Sequence, residues 1–211
     1  MPELNGDPTK KNYEAADAWH SEKSKGYDWS LQRDLFSSNL PKGARILDVG
    51  AGGSGRDIAD FVGRGFVVEG LDYSAPAIAS LRQQFPNLKS YEADMRSTGL
   101  ENNSYQGIWA CASILNIPKS DIASTLQEFR RLLQDGGQLF ISVKKGEGER
   151  MVPDQAGERF FNFFSESELR ELAETAGFVI SRSDIVEDSQ FTGKEAQPPL
   201  PAWICLHAVK A

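Results

Sequence analysis

The run Ile46-Leu47-Asp48-Val49-Gly50-Ala51-Gly52-Gly53-Ser54-Gly55-Arg56 constrains the fold more than any other part of the chain. An apolar stretch ends near an acid, a glycine cluster follows, and a helix-like pattern comes next. The first strand of a parallel α/β sheet presents its end to a nucleotide-like ligand in this way. Without a Cβ, the backbone turns sharply and approaches the ligand closely. Gly50, Gly52 and Gly55 give the spacing G-x-G-x-x-G. By itself that spacing points to a dinucleotide as readily as to another adenosine cofactor.

The rest of the chain alternates strands and helices. Expected strands are Arg45–Val49, Phe66–Leu71, Leu88–Tyr91, Gly107–Ala112, Gln138–Val143, Phe178–Ile185 and Trp203–Val209. Expected helices between them are a segment capped by Ser54, with Asp57 as its capping partner, then Ala75–Phe85, Lys119–Gln134 and Ser165–Ala176. Such alternation means right-handed crossovers and a doubly wound, mostly parallel sheet with helices on both faces. Asp188–Pro201 reads as an irregular loop, so the last strand is free to join antiparallel. Residues 1–10 read as a mobile tail, 11–25 as one helix and Trp29–Leu40 as another.

A chain of 211 residues with 40% hydrophobic and 25% charged residues reads as one globular domain. Its net charge of −7 argues against a general nucleic-acid binder, which needs clustered Lys and Arg. No apolar run is long enough to span a membrane, and Met1–Asn5 does not read as a signal peptide. The cytoplasm is the default location. Cys111 and Cys205 read as buried small hydrophobes, and the sparse His and Cys content gives no metal site.

Three acids extend the pattern. Asp48, Asp72 and Asp94 each fall at or just after the end of a successive strand, where open α/β sheets bind ligands. Each is also a residue type that caps turns. A carboxylate after strand two suits two ribose hydroxyls. Asp94 followed by Met95 suits the edge and face of an adenine.

On these residues the chain resembles the class I S-adenosylmethionine-dependent methyltransferases, in particular their small stand-alone bacterial members. The resemblance rests on Leu47–Gly52, Gly70-Leu71-Asp72-Tyr73-Ser74, Glu92-Ala93-Asp94-Met95, Gly107–Ser113 and Leu133–Leu139, and runs from about residue 13 to the last strand. It implies a Rossmann-like seven-stranded α/β sheet whose last strand is antiparallel, occupying residues 41–211 behind N-terminal lid helices at 11–40. It implies S-adenosylmethionine as cofactor and S-adenosylhomocysteine as product. Gly50, Ala51 and Gly52 would hold the methionyl part and Asp48 would lie beside it. Asp72 would bind the ribose, Tyr73 would stack near the adenine, Asp94 and Met95 would bind it, and the Cys111 backbone would lie under the sulfonium. Tyr13 and Trp19 look like parts of the lid. Departures are the extra residue before Gly55, Tyr105-Gln106-Gly107 in place of a Phe-Asp pair, and Asn116 where near relatives often carry a histidine.

The activated methyl needs alignment and exclusion of water more than it needs a base. His20 is the best base by residue type; an exposed helical histidine is the plainer reading. Tyr13 orients cofactor or substrate, or packs in the core. Asn116 contacts substrate or caps the helix near Pro118. His207 reads as structural. Lys144–Arg150 reads first as a solvated loop and second as lining for the substrate site. Arg159–Phe164 reads first as packing under the following helix, and second as an apolar wall with Arg159 facing an acid. The substrate-pocket set is therefore Trp19, Asn116, Lys144 and Arg159.

The leading expectation is methyl transfer to N, O or S of a small molecule by a monomer or homodimer. No Asn-Pro-Pro-Tyr-like tetrad follows strand four and no Pro-Cys nucleophile is present, which disfavours nucleic-acid base methylation. Two competing readings are a non-catalytic protein that holds the cofactor or its demethylated product, and a nicotinamide oxidoreductase.

Overall fold

The computed structural model describes residues 7–196 and 200–211. In chain order the elements are α1 (Pro8–Ala15), α2 (Asp17–Lys25), α3 (Ser30–Ser37), β1 (Arg45–Val49), α4 (Arg56–Gly63), β2 (Val67–Asp72), α5 (Ala75–Gln84), β3 (Ser90–Glu92), β4 (Tyr105–Cys111), α6 (Lys119–Leu132), β5 (Leu133–Lys144), β6 (Glu149–Asp154), β7 (Gly157–Asn162), α7 (Glu166–Thr175), β8 (Phe178–Val186), α8 (Asp188–Thr192) and β9 (Trp203–Lys210).

Seven strands form one sheet in the order β3-β2-β1-β4-β5-β9-β8. β9 runs antiparallel to both of its neighbours, and the β1–β5 pairings are parallel. The expected doubly wound sheet with an antiparallel last strand is the one found. The order reverses between β1 and β4, so the loops after these two strands flank one crevice.

β1, β4 and β5 are buried on both faces, which explains their near-continuous apolar sequences. Helices bury single stripes against them: Ile58 and Phe61 on α4; Ile122, Leu126 and Phe129 on α6; Leu169 and Ala173 on α7. At the centre, Trp109 stacks on Phe140 at 4.0 Å, and Phe36 and Phe61 meet Trp109 edge-on. Among the described residues no helix is long and apolar enough to cross a membrane.

Several local expectations are corrected. Residues 8–10 of the expected tail are helical and Thr9 is buried, because Asp7 caps α1 and Pro8 opens it. Residues 1–6 of that tail, and Pro198 and Pro199 of the expected loop, lie outside the described residues. The single helix at 11–25 is two helices separated at Ala16. Asp188–Thr192 is a short helix rather than irregular loop.

Ser54 does not cap α4. Gly55 does, with φ 62°, and a side chain there would collide with the Phe85 ring. The third glycine of the cluster thus starts the helix. Asp57 is not a capping partner either: it is drawn into the buried interior by two arginines. The largest correction is at 149–162. A β-hairpin, β6–β7, stands there as a separate two-stranded sheet, and α1 packs on β7.

Candidate functional site

A cavity of about 600 Å³ opens over the carboxyl ends of β1, β2 and β4. Its floor is the glycine loop, its walls include Asp72, Met95 and Ser113, and α1, α2 and the β6–β7 hairpin cover it. The volume is that of an ordinary small-molecule site.

The glycine loop is held from below. The N–H groups of Gly50 and Ala51 donate to the Leu71 carbonyl at 2.8 and 3.1 Å, and Gly52 N–H donates to Asp72 Oδ2 at 2.9 Å. Gly50 has φ 71°, and a Cβ there would collide with the Ser113 side chain. Gly50, Ala51 and Gly52 thus spend their N–H groups within the protein, and the Gly53 carbonyl accepts from Ser80 Oγ and Gln84 Nε2. Gly53 carries Asp17 and Ser21 of α2 directly against it, with no room for a Cβ.

Asp72 also accepts from Ser74 N–H at 2.8 Å. Burial raises its pKa, and the backbone donors oppose that rise. Asp48 is buried, and its carboxyl accepts no hydrogen bond among the described residues, the charge of Arg56 being what favours its ionised form. Burial raises its pKa well above the usual carboxylate range, and Asp57 adds to the effect. Burial also raises Asp57, but Arg56 and Arg33 outweigh it and leave that carboxyl low. Asp57 receives Arg33 at 2.7 Å, Arg56 at 2.6 Å and Trp109 Nε1 at 3.0 Å. Arg56 in turn donates to the Ser24 carbonyl at 2.5 Å, tying the end of α2 to α4.

At the wall beyond β3, Asp94 is bound by Arg96, whose Nη2 lies 2.7 Å from Oδ2. Arg96 bridges on to Asp121 at 2.8 Å. Cys111 Sγ accepts from Ser142 Oγ at 3.6 Å, and burial pushes the thiol up.

At the opposite wall, side chains far apart in sequence converge. Tyr13 O–H donates to Asn116 Oδ1 at 2.9 Å, and Asn116 Nδ2 donates to the Phe160 carbonyl at 2.6 Å. Arg159 donates to the Tyr13 oxygen and pairs with Asp154 behind it. Burial raises the Tyr13 pKa, and Arg159 opposes the rise. His20 Nε2 lies 2.9 Å from Asn12 Oδ1, and burial lowers its pKa to about 4, with Arg159 adding to the shift. The ring is neutral near pH 7.

Two buried hydroxyls in the lining, Ser21 Oγ and Ser113 Oγ, have no hydrogen-bond partner among the described residues. Buried polar groups are ordinarily bonded, so these await a ligand.

The methyltransferase domain model matches residues 19–182. The chain belongs to this methyltransferase family. It is 27% identical over 182 residues to the 2-methyl-6-phytyl-1,4-hydroquinone methyltransferase of Synechocystis sp., covering 78% of this chain and 54% of that protein. It is 35% identical over 107 residues to the 2-phytyl-1,4-naphtoquinone methyltransferase of Thermosynechococcus vestitus, covering 48% and 47%. The chain thus spans about half the length of the curated relatives it matches. Among solved structures it resembles a Burkholderia thailandensis 1,6-didemethyltoxoflavin-N1-methyltransferase with bound S-adenosylhomocysteine. The TM-score is 0.76 at 21% identity, over 96% of this chain and 87% of that one. The fold is that of the class I S-adenosylmethionine-dependent methyltransferases.

In this methyltransferase the cavity gathers Tyr13, His20, Asp48, Gly50, Ala51, Gly52, Asp72, Tyr73, Asp94, Met95, Cys111, Asn116, Lys144 and Arg159, all singled out in the sequence. Trp19 is the exception. Asp17, Ser21 and Ser24 share the inward face of α2, and Trp19 lies off that face, 36% exposed, under Lys23. Asn116 is not a helix cap: α6 follows Pro118 with no side-chain cap, and Asn116 points to Tyr13 instead. Lys144 is not in a solvated loop. It ends β5, buried, 2.5 Å from Asp188 and over the Trp203 ring. The aromatic run is divided: Phe163 and Phe164 pack in the interior, whereas Arg159, Phe160 and Phe161 line the cavity. Sequence reasoning missed Asp17, Ser21, Arg56 and Ser113. Arg56 had a local signal, an arginine directly after the glycine cluster.

Proposed function

We propose that this chain transfers a methyl group from S-adenosylmethionine to an N, O or S atom of a small-molecule acceptor in this cavity. The observation that carries the reading is the pair of orphaned hydroxyls, Ser21 and Ser113, lining a 600 Å³ space that begins at the glycine loop and Asp72. The residues present fit the cofactor. Gly50–Gly52 would border the methionyl part, Asp48 would present a buried carboxyl to its ammonium, and Asp72, which lines the same space, would accept from the ribose hydroxyls. Met95 and Tyr73 would supply apolar faces for the adenine, while both Asp94 carboxylate oxygens are engaged by Arg96, so an amine reaching Asp94 would share them. Bound here, the cofactor supplies a methyl group already activated on a sulfonium.

What remains for the protein is alignment and exclusion of water. The lid helices and the hairpin close the space above the strand ends, and Tyr13 and Asn116 fix the wall that an acceptor meets. With a pKa of about 4, His20 is a weak base, which supports an acceptor that is nucleophilic without one. The curated relatives are named for phytyl-bearing quinone and hydroquinone substrates, and the acidic balance of this chain supports a small-molecule acceptor over a nucleic acid.

Isothermal calorimetry with S-adenosylhomocysteine tests the cofactor half. The wild type binds it, and Asp72→Ala weakens binding by at least about tenfold, the size expected for losing a charge-assisted contact. Equal affinity in the two proteins would remove the ribose assignment. Turnover with a panel of phenols, amines and thiols tests the rest. Binding without any turnover would favour the non-catalytic reading.

A further inference from the structure

Five of the six acids of the cavity lining, Asp17, Asp48, Asp57, Asp72 and Asp94, lie on α2 or at the β1–β3 side; the sixth, Asp7, caps α1. Of the arginines and lysines that line it, Arg56 is paired with Asp57, Arg96 with Asp94 and Lys144 with Asp188, each counter-charge being 2.7 Å away or closer, while Lys23 has no ion-pair partner among the described residues and lies over the Trp19 ring at 4.6 Å. Arg159, like Lys144, lines the cavity while its acid does not, so the Asp154 carboxylate stands behind the guanidinium; unlike Lys144, it sits on the wall formed with Tyr13, Phe160 and Phe161.

Arg159 is also rigid. Its side chain is 12% exposed and lies over the rings of Tyr13 at 4.9 Å and Phe161 at 4.8 Å. Its bonds to the Tyr13 oxygen and to Asp154 leave the Nη2 hydrogens with no acceptor among the described residues. Tyr13 gives its hydroxyl proton to Asn116, and Asn116 gives one of its two amide hydrogens to the Phe160 carbonyl, so Arg159 is the charged donor of this wall. Beside these donors the walls are apolar: Leu115, Ile117, Met151, Phe160 and Phe161.

We infer that the acceptor is a planar, largely apolar molecule bearing an acidic hydroxyl, a phenol or enol, and that Arg159 selects it by binding its oxyanion. This rests on the methyl-transfer reading above and specifies its substrate class. Arg159 opposes the raised pKa of Tyr13 and adds to the lowering of His20, as a cation beside both groups does. A cationic acceptor would meet that wall and the cofactor's own positive charge together. An oxyanion meets attraction from both. It also arrives without its proton, so no base is needed where His20 is a poor one.

The test uses 4-nitrophenol, whose phenolate absorbs in the visible, titrated into the full chain saturated with S-adenosylhomocysteine. 4-Nitroanisole, its neutral methyl ether, is the comparison. The wild type binds the phenol at least about tenfold more tightly than the ether and lowers the phenol's apparent pKa. Arg159→Gln loses both the preference and the shift, with S-adenosylhomocysteine affinity unchanged. Arg159→Lys retains part of the preference. Asp154→Asn removes the opposing charge and strengthens the preference, which a purely structural Arg159–Asp154 pair would not do. Equal binding of phenol and ether by the wild type, or an unaltered preference in Arg159→Gln, overturns the inference. If S-adenosylhomocysteine itself does not bind, the cofactor reading fails first, and the two failures are told apart.

Discussion

Asp48 shows how one residue trades stability for a ligand. It ends β1 buried, beside Asp57 and Asp72, with no donor on its carboxyl. Its folded pKa is raised, so its ionised form opposes folding. That opposition is fully present above the folded pKa and vanishes as pH falls below the unfolded value of about 3.9. Asp48→Asn is therefore expected to raise the thermal midpoint at neutral pH by a few degrees, with no gain near pH 3. Because the carboxyl faces the proposed cofactor cation, the same change is expected to weaken S-adenosylmethionine binding several-fold. Differential scanning calorimetry and titration read the two effects. A variant less stable than wild type at neutral pH would show that Asp48 is held by a favourable contact.

At the scale of elements, the roof of the site is a clasp between α1 and the β6–β7 hairpin. Phe160 N–H donates to Thr9 Oγ1 at 2.9 Å, and Thr9 is buried. Thr9→Val keeps the shape and orphans that N–H, at a local cost of about 1–3 kcal/mol. The expected outcome is faster amide exchange at Phe160 and a several-fold higher acceptor KM, with little change in the global midpoint. An unchanged exchange rate would show that the clasp does not depend on this bond. The lid carries little of the core: α1 buries only Thr9 and Asn12, and α2 buries nothing. Removing residues 1–25 is thus expected to leave the far-ultraviolet circular dichroism of the sheet and helices largely intact while abolishing most turnover. Full activity in the truncated chain would refute the lid.

Over the whole molecule, pH acts through both histidines. Burial lowers His20 and His207 to about 4 each. A depressed histidine favours the fold fully above the unfolded pKa of about 6.5 and loses that contribution as pH falls through the window to about 4. The half-buried His20 is partly screened, so His207, bonded to Gln32 at 2.8 Å, dominates. Stability of the wild type is expected to decline across this window, and His207→Gln is expected to flatten the decline. Urea midpoints at pH 7, 5.5 and 4.5 measure it; parallel slopes in the two proteins would rule His207 out.

The alternation of strands and helices, the antiparallel ending and the glycine loop with its following acids were legible in the sequence, because strand apolarity, turn glycines and strand-end acids are local patterns. Asp48, Asp72 and Met95 needed no tertiary information to be found. The opposite wall did. Tyr13 meets Asn116 across 103 residues and Arg159 across 146, and no local spacing encodes such a meeting. Trp19 fell outside the cavity because the rotation of α2 about its axis is set by packing on Gly53, not by residue type. The hairpin escaped notice because a two-stranded ribbon has no core of its own and is marginal until α1 docks on it. Local chemistry determined the sheet end at which the glycine loop and its acids meet; tertiary packing alone decided what faces them across the cavity.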